Sequence, residues 1–309
     1  MTAIFLGTPD FAVPTLERMV EAGHDVAAVF TQPDRPKGRG HKDSMPPVKQ
    51  AALRLGIAVH QPERVRRPEV IAQLQAIAPE VMVVVGYGQI IPQAILDIPP
   101  LGIINVHASL LPKYRGAAPI QWAIARGETQ TGVTTMRIDA GLDTGEMLLK
   151  WQTAIGEDET AVDLSPRLAA AGADLLVRTL AELAEIRPES QDNSQASYAP
   201  ILKKEDGHID WRLDSREILN RVRGFQPWPG CYGFWRGQRF HVWKARRAAA
   251  PPASTELRPG ELSAEAGRIH AGCADGSIEL IEVQLEGKKR MTAAAFLNGN
   301  RVEAGEILQ

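Results

Sequence analysis

Apolar runs of strand length alternate with helical spacings through the first half of the chain. Ile4–Gly7 reads as a first buried strand, and the helix after it is expected to use Thr8 as N-cap, to take Pro9 at its first position and to run to Ala22, closed by Gly23. Residues 25–32 follow as a second strand, 47–55 as a helix, 57–60 as a short strand and 68–77 as another helix. The β-branched run at 81–88 fits a central parallel strand covered on both faces. It ends in glycines, and Ile90, Ile91 and Pro92 beyond it suit either the core or the wall of a pocket. Residues 103–107 form a further strand, 116–127 a helix, 132–138 a strand and 160–183 a long amphipathic helix. Strands and helices in this alternation predict an α/β domain with a mainly parallel sheet.

From Arg187 to about residue 205 the composition is that of a linker, and beyond it the periodicity changes. A helix at 215–224 precedes aromatic alternations and glycine turns over 226–247 that read as β-hairpins. Short strands continue over 268–289, with Asp275-Gly276 as a hairpin signal. The expected division is therefore 1–186, a linker at 187–205, and 206–309 as a small β barrel or sandwich, of OB type if it has about five strands.

Composition sharpens this picture in a few places. A hydrophobic fraction of 44% with 23% charged residues belongs to a folded globular chain. No apolar run approaches the roughly 20 residues needed to span a bilayer, and the N-terminal residues carry no targeting pattern, so a cytoplasmic protein without a membrane partner is expected. Cys231 and Cys273 are far apart and have no CxxC spacing, which indicates neither a disulfide nor a zinc site. Gly7 alone is not a GxGxxG fingerprint, so a dinucleotide cofactor is not indicated. The net charge of −2 splits into −4 for residues 1–205 and +2 for 206–309. Within 212–247 nine basic residues, among them Arg221, Arg223, Lys244 and Arg246, face two acidic ones. The loop at 32–42 holds Arg35, Lys37, Arg39 and Lys42 against Asp34. Such a loop is either a solvated surface feature or a contact for phosphates near the sheet's carboxyl edge.

The chemistry concentrates at IINVHASLLPKYR, residues 103–115. Strand alternation places Asn105 and His107 on one face and Ile104 and Val106 on the other. Polar groups at the carboxyl end of a buried parallel strand are costly unless bonded or used, and ligands bind there. A lone histidine is commonly just a satisfied core residue, but the strand at 132–138 would neighbour this one. It empties into a glycine-rich loop carrying Asp139 and Asp143, so that one of the two aspartates could meet His107. If Asp143 is that residue, an amide donor, an imidazole and a carboxylate that favours its charged form would suit attack on a carbonyl by an amine. With no adjacent Cys and no GxSxG elbow, direct acyl transfer is favoured over a covalent acyl-enzyme.

NVHASLLPKYRGAAPIQW, the downstream GLDTGEML, the TQPDRPKGRG loop, the GTPDFA start and the PWPG and VWKA elements together resemble the 10-formyltetrahydrofolate-dependent formyltransferases, and within them the branch acting on methionyl-tRNA. The resemblance implies a Rossmann-like formyltransferase domain followed by an OB-like domain. It places Asn105, His107 and Asp143 as the catalytic trio, and Ser109, Leu110, Leu111 and Pro112 as folate-binding. Tyr87, Gly88, Ile90 and Ile91 fall on the wall of the pterin pocket. It implies 10-formyltetrahydrofolate as donor, no metal, and initiator methionyl-tRNA as partner. Arg39 would reach the acceptor end, and the 212–247 patch the acceptor arm. A monomer is expected. Two rival readings are a sugar-nucleotide formyltransferase, which has less need of the basic loop, and a catalytically idle RNA-binding protein, which would not need the trio.

Overall fold

The structure is a computed structural model, described over residues 1–37, 42–248 and 257–309. It comprises two compact units, one of Met1–Pro119, Thr131–Thr153 and Ser165–Pro200, the other of Ile120–Gln130, Ala154–Leu164 and Ile201–Gln309.

The chain opens with β1 (Thr2–Gly7), a 3-10 turn at Asp10–Ala12 and α1 (Val13–Glu21). This helix starts later than the Thr8 cap predicts, because the Thr8 hydroxyl is engaged elsewhere. It donates to the Tyr87 carbonyl at 3.2 Å and accepts from the Gln32 N–H at 3.4 Å, tying together three strand exits. After β2 (Asp25–Phe30) the basic segment is not wholly loop. β3 (Arg35–Lys37) and β4 (Lys42–Ser44) pair antiparallel. Arg-Pro-Lys carries no apolar period from which that pairing could be read, and the predicted contact residue Arg39 lies outside the described residues.

There follow α2 (Pro47–Arg54), β5 (Ala58–His60), α3 (Pro68–Ile77), β6 (Val81–Val85), α4 (Gln93–Leu96), β7 (Ile103–His107), α5 (Pro119–Ala125), β8 (Gln130–Arg137), β9 (Met147–Ala154) and α6 (Ala161–Ala181). Among the described residues the sheet runs β5-β2-β1-β6-β7-β8-β9. Its first five strands are parallel, and β8 pairs antiparallel with β7. All five residues of β6 and all five of β7 are buried, and each fully buried valine stabilises the fold by about 1.5–3 kcal/mol. That burial explains why both strands read as unbroken apolar runs apart from Asn105 and His107.

The register sets the face that matters. His107 lies opposite Thr134 and Asn105 opposite Met136, while Val106 lies opposite Thr135. Thr135 serves the far face, its hydroxyl 2.8 Å from that of Thr179 on α6. Gly132 marks a close approach in this part of the sheet: a Cβ there would stand 2.0 Å from the Trp151 carbonyl oxygen. Gly132→Ala should therefore force the backbone apart, at a cost of about 3 kcal/mol. Its melting midpoint should fall by roughly 6–12 °C; a midpoint within 2 °C of the parent would show the strands are more loosely packed than described.

The second unit has α7 (Ser215–Gly224), β10 (Cys231–Trp235), β11 (Gln238–Arg247), β12 (Leu262–Glu265), β13 (Arg268–Cys273), β14 (Gly276–Leu285), β15 (Met291–Thr292) and α8 (Ala293–Leu297). Its antiparallel sheet runs β10-β11-β14-β13-β12, with β15 added on β14, the small OB-like β domain expected. Asp275 does make the β13–β14 turn. Its carboxylate also accepts from the Ser215 N–H at 2.6 Å and hydroxyl at 2.9 Å, which fixes the start of α7. Trp235, Phe240 and Phe296 meet edge to face in the core, with ring centroids 5.3–6.4 Å apart.

Candidate active site

β7 delivers Asn105 and His107 to the carboxyl edge of the sheet, and the loop after β8 brings Asp143 to them. Asn105 Nδ2 donates to Asp143 Oδ1 at 3.4 Å, and His107 Nδ1 stands 3.7 Å from Asp143 Oδ2. Asp139 does not join them: its carboxylate accepts from the Thr144 hydroxyl and the Gly141 N–H inside its own turn. Of the two aspartates left open by the sequence, Asp143 is the one at the histidine.

His107 is 5% exposed and Asn105 8% exposed, so their polar atoms depend on protein partners. His107 Nε2 donates to the Tyr114 carbonyl at 2.9 Å. A carbonyl only accepts, so Nε2 carries a proton and Nδ1 is the ring atom turned to the carboxylate. The 3.7 Å gap exceeds hydrogen-bond length and leaves Nδ1 open to a further oxygen. Asp143 itself sits at φ +51°, a left-handed conformation that Asp tolerates better than most residues. Its Oδ2 accepts from the Gly116 N–H at 2.8 Å. Gly116 has φ +113°, and a Cβ on it would meet the Ala199 carbonyl oxygen at 2.7 Å, so only glycine brings that N–H to the carboxylate.

The SLLP turn is bound to the same edge. Thr134 Oγ1 donates to the Ser109 carbonyl at 2.7 Å and accepts from the Leu111 N–H at 3.2 Å. Ser109 is buried and its hydroxyl donates to the Lys113 carbonyl at 2.6 Å, while Leu111 packs with Met136 and Met147. Leu110 and Pro112 stay half-buried. Beyond β6, the Tyr87 ring and Ile91 belong to the core, and burial raises the Tyr87 hydroxyl pKa. Gly88 is exposed and Ile90 is 89% exposed. A cavity of about 730 Å³ lies over the exits of β1, β2 and β6, lined by Thr8, Gln32, Arg35, Met45 and Gly86–Gly88 among others. Asn105 and His107 stand on β7, the next strand along, with Asp143 in the loop after β8, and none of the three lines it.

The candidate RNA-binding residues divide. Arg35 is exposed at that cavity, and nothing is described of the side chains of Lys37 and Lys42. Arg221 is paired with Glu217 at 2.8 Å. Arg223 donates to the Gly156 and Glu159 carbonyls and to Asn220, and Arg246 makes a two-pronged pair with Glu279. Lys244 is exposed, with no side-chain partner among the described residues. Neither cysteine is poised as a nucleophile: burial pushes the Cys231 thiol up to about 12 and, with Asp275, that of Cys273 to about 11. No group of three His, Cys, Asp or Glu among the described residues is placed to hold a metal ion.

Sequence reasoning missed the atoms that hold the trio, namely the Tyr114 carbonyl, the Gly116 N–H and two side chains, Arg115 and Gln191. The first two are backbone groups without a residue-type signal. Gln191 lies in the run of linker composition, which nevertheless bonds into the first unit: Glu189 and Met147 exchange backbone hydrogen bonds at 2.9 Å, and Ala199 N–H donates to the Arg115 carbonyl at 2.7 Å.

Residues 1–180 match the formyl transferase family and 201–301 its C-terminal domain. The chain is 60% identical to the methionyl-tRNA formyltransferase of Solibacter usitatus, covering 100% of this chain and 98% of that one. With the same enzyme of Koribacter versatilis it shares 56% identity over 100% of this chain and 98% of the relative. Its fold is similar to that of the N-formyltransferase of Helicobacter canadensis in complex with folinic acid and dTDP-3-aminofucose, with a TM-score of 0.66 at 18% identity over 94% of this chain and 99% of that one. By full-length identity and by both family domains, the chain belongs to the methionyl-tRNA formyltransferase family.

Proposed function

We propose that this chain transfers the formyl group of 10-formyltetrahydrofolate to the α-amino group of initiator methionyl-tRNA, by direct attack through a tetrahedral intermediate. The observation that carries the reading is the convergence of an amide donor, an imidazole and a carboxylate at one sheet edge, with separations of 3.4 and 3.7 Å. In the proposed step the amine nitrogen bonds to the formyl carbon and the formyl oxygen becomes the oxyanion. Asn105 Nδ2 uses one hydrogen on Asp143 and has a second for that oxygen. His107, anchored through Nε2, turns Nδ1 toward that oxygen and can donate from it only as the doubly protonated ring. Asp143 takes up the amine proton, directly or through water. The bond from the formyl carbon to N10 of the folate breaks as the oxyanion collapses to the new formyl carbonyl, and N10 receives the proton the amine gave up, returned from Asp143 directly or through water. The donor is assigned to the groups about the SLLP turn and the exit of β6, through Leu110, Pro112, Gly88 and Ile90; Ser109, Leu111, Tyr87 and Ile91 would support those groups from beneath.

The test is a transfer assay with 10-formyltetrahydrofolate and charged tRNA, with an amino-sugar nucleotide as competing acceptor. Formylation of methionyl-tRNA unaffected by equimolar sugar nucleotide is expected; preferential formylation of the sugar would transfer the chain to the rival reading. Salt checks the RNA contacts. Binding that neutralises Z phosphates weakens with a log-log slope of about −0.7Z to −0.9Z, so Lys244→Ala should make the slope shallower by about 0.7–0.9. An unaltered slope would remove Lys244 from the RNA contacts, whereas Arg246, held by Glu279, should contribute less.

A further inference from the structure

Arg115 is 2% exposed. A buried guanidinium is costly unless its donors are all directed at acceptors, and here the acceptors are neutral amides. Nε and Nη2 donate to Gln191 Oε1 at 3.0 and 2.8 Å, and Nη2 also donates to Asn193 Oδ1 at 2.8 Å. This fixes which way the Gln191 amide faces. Its oxygen must take the arginine, so its nitrogen must face the other way. There Nε2 donates to two carbonyls, those of Asp143 and Gly145, both at 2.8 Å.

We propose that Arg115 and Gln191 are positioning residues for the carboxylate of the proposed reaction. Arg115 sets the orientation of the Gln191 amide, and Gln191 grips the backbone on either side of Thr144, holding Asp143 in its left-handed conformation. In that conformation Oδ1 reaches Asn105 and Oδ2 reaches Gly116 N–H and stands beside His107. Arg115 works from both sides, since its neighbour Gly116 supplies the N–H that takes Oδ2. A carboxylate at 191 would pair better with the guanidinium but could not donate to the loop, which gives a physical reason for an amide at this buried cation.

The inference rests on the proposed formyl transfer, and the two fail separately. If the parent chain does not formylate methionyl-tRNA, the functional reading is wrong; the positioning role is tested by variants against an active parent. Gln191→Glu keeps an acceptor for Arg115 and removes both donors to the loop. Its single-turnover rate is expected to fall between about 10- and 100-fold, the scale of a misplaced catalytic group. KM for methionyl-tRNA and for the folate should stay within twofold, with no loss in melting midpoint. Asn193→Ala leaves the Gln191 grip intact and should stay within twofold in rate. A Gln191→Glu rate within twofold of the parent, or a loss matched by equal weakening of substrate binding, overturns the proposal. Should that variant be insoluble, hydrogen exchange in Gln191→Ala decides: faster exchange at 141–147 with β7 unchanged supports the grip, and unchanged exchange at 141–147 overturns it.

Discussion

Single-turnover formyl transfer by Asn105→Ala should be slower than that of the parent by about 10²- to 10³-fold, equivalent to about 2.7–4 kcal/mol of transition-state stabilisation. The Asn105 side chain is nearly enclosed, and one of its N–H bonds goes to Asp143. Alanine removes both N–H groups, and the one whose loss slows the step is the second, proposed to meet charge that exists only once the amine has added to the formyl carbon. An interaction made only in the transition state lowers kcat and kcat/KM together and leaves substrate binding nearly unchanged. The measurement is rapid mixing of saturated enzyme with methionyl-tRNA and formyl-folate, alongside independent binding of each substrate. Turnover equal to the parent's would take Asn105 out of the chemistry. A rate loss explained wholly by weaker folate binding would make it a ligand-orienting group.

Much of this edge was legible in the chain, for identifiable reasons. β6 and β7 are buried on both faces, so they appear as apolar runs, and against such a run two polar side chains two positions apart stand out. Period-two alternation then put Asn105 and His107 on one face, and the observed register agrees. The choice between Asp139 and Asp143 could not be made from sequence, because it depends on which carboxylate its own loop consumes, and Thr144 and Gly141 consume that of Asp139. The start of α1 was misjudged for a related reason. Thr8 has the right type for a cap, but its hydroxyl bridges to residues 24 and 79 positions away. The segment 189–199 reads as a linker because its bonds run through amide side chains and isolated backbone pairs, neither of which leaves an apolar period. Among the basic residues, sequence shows charge but not partners, so Arg223 and Lys244 look alike there. In the structure one is held by carbonyl groups and the other is exposed.

Asp143→Asn tests the trio as one unit, and its loss should be the larger, on the order of 10⁴-fold by comparison with orienting carboxylates in other acyl-transfer sites. A carboxylate presents two acceptors, and both are in use here. Oδ2 faces the Gly116 N–H and His107, while Oδ1 faces the Asn105 amide. An asparagine must place its NH2 group in one of those positions. Against Gly116 it would set donor against donor, so the amide oxygen takes that place and the NH2 turns to Asn105. Asn105 then satisfies it by rotating its own amide to present oxygen, which carries its donors away from the formyl group. His107 simultaneously loses the charge beside Nδ1. One substitution thus disables all three groups without changing volume, and the double variant should expose the coupling. Adding Asn105→Ala to the Asp143→Asn chain should cost less than threefold, against the 10²-fold or more it costs alone. If the two losses instead multiply, the amide of Asn105 keeps its orientation without the carboxylate, and the hydrogen bond between them has no part in aiming it.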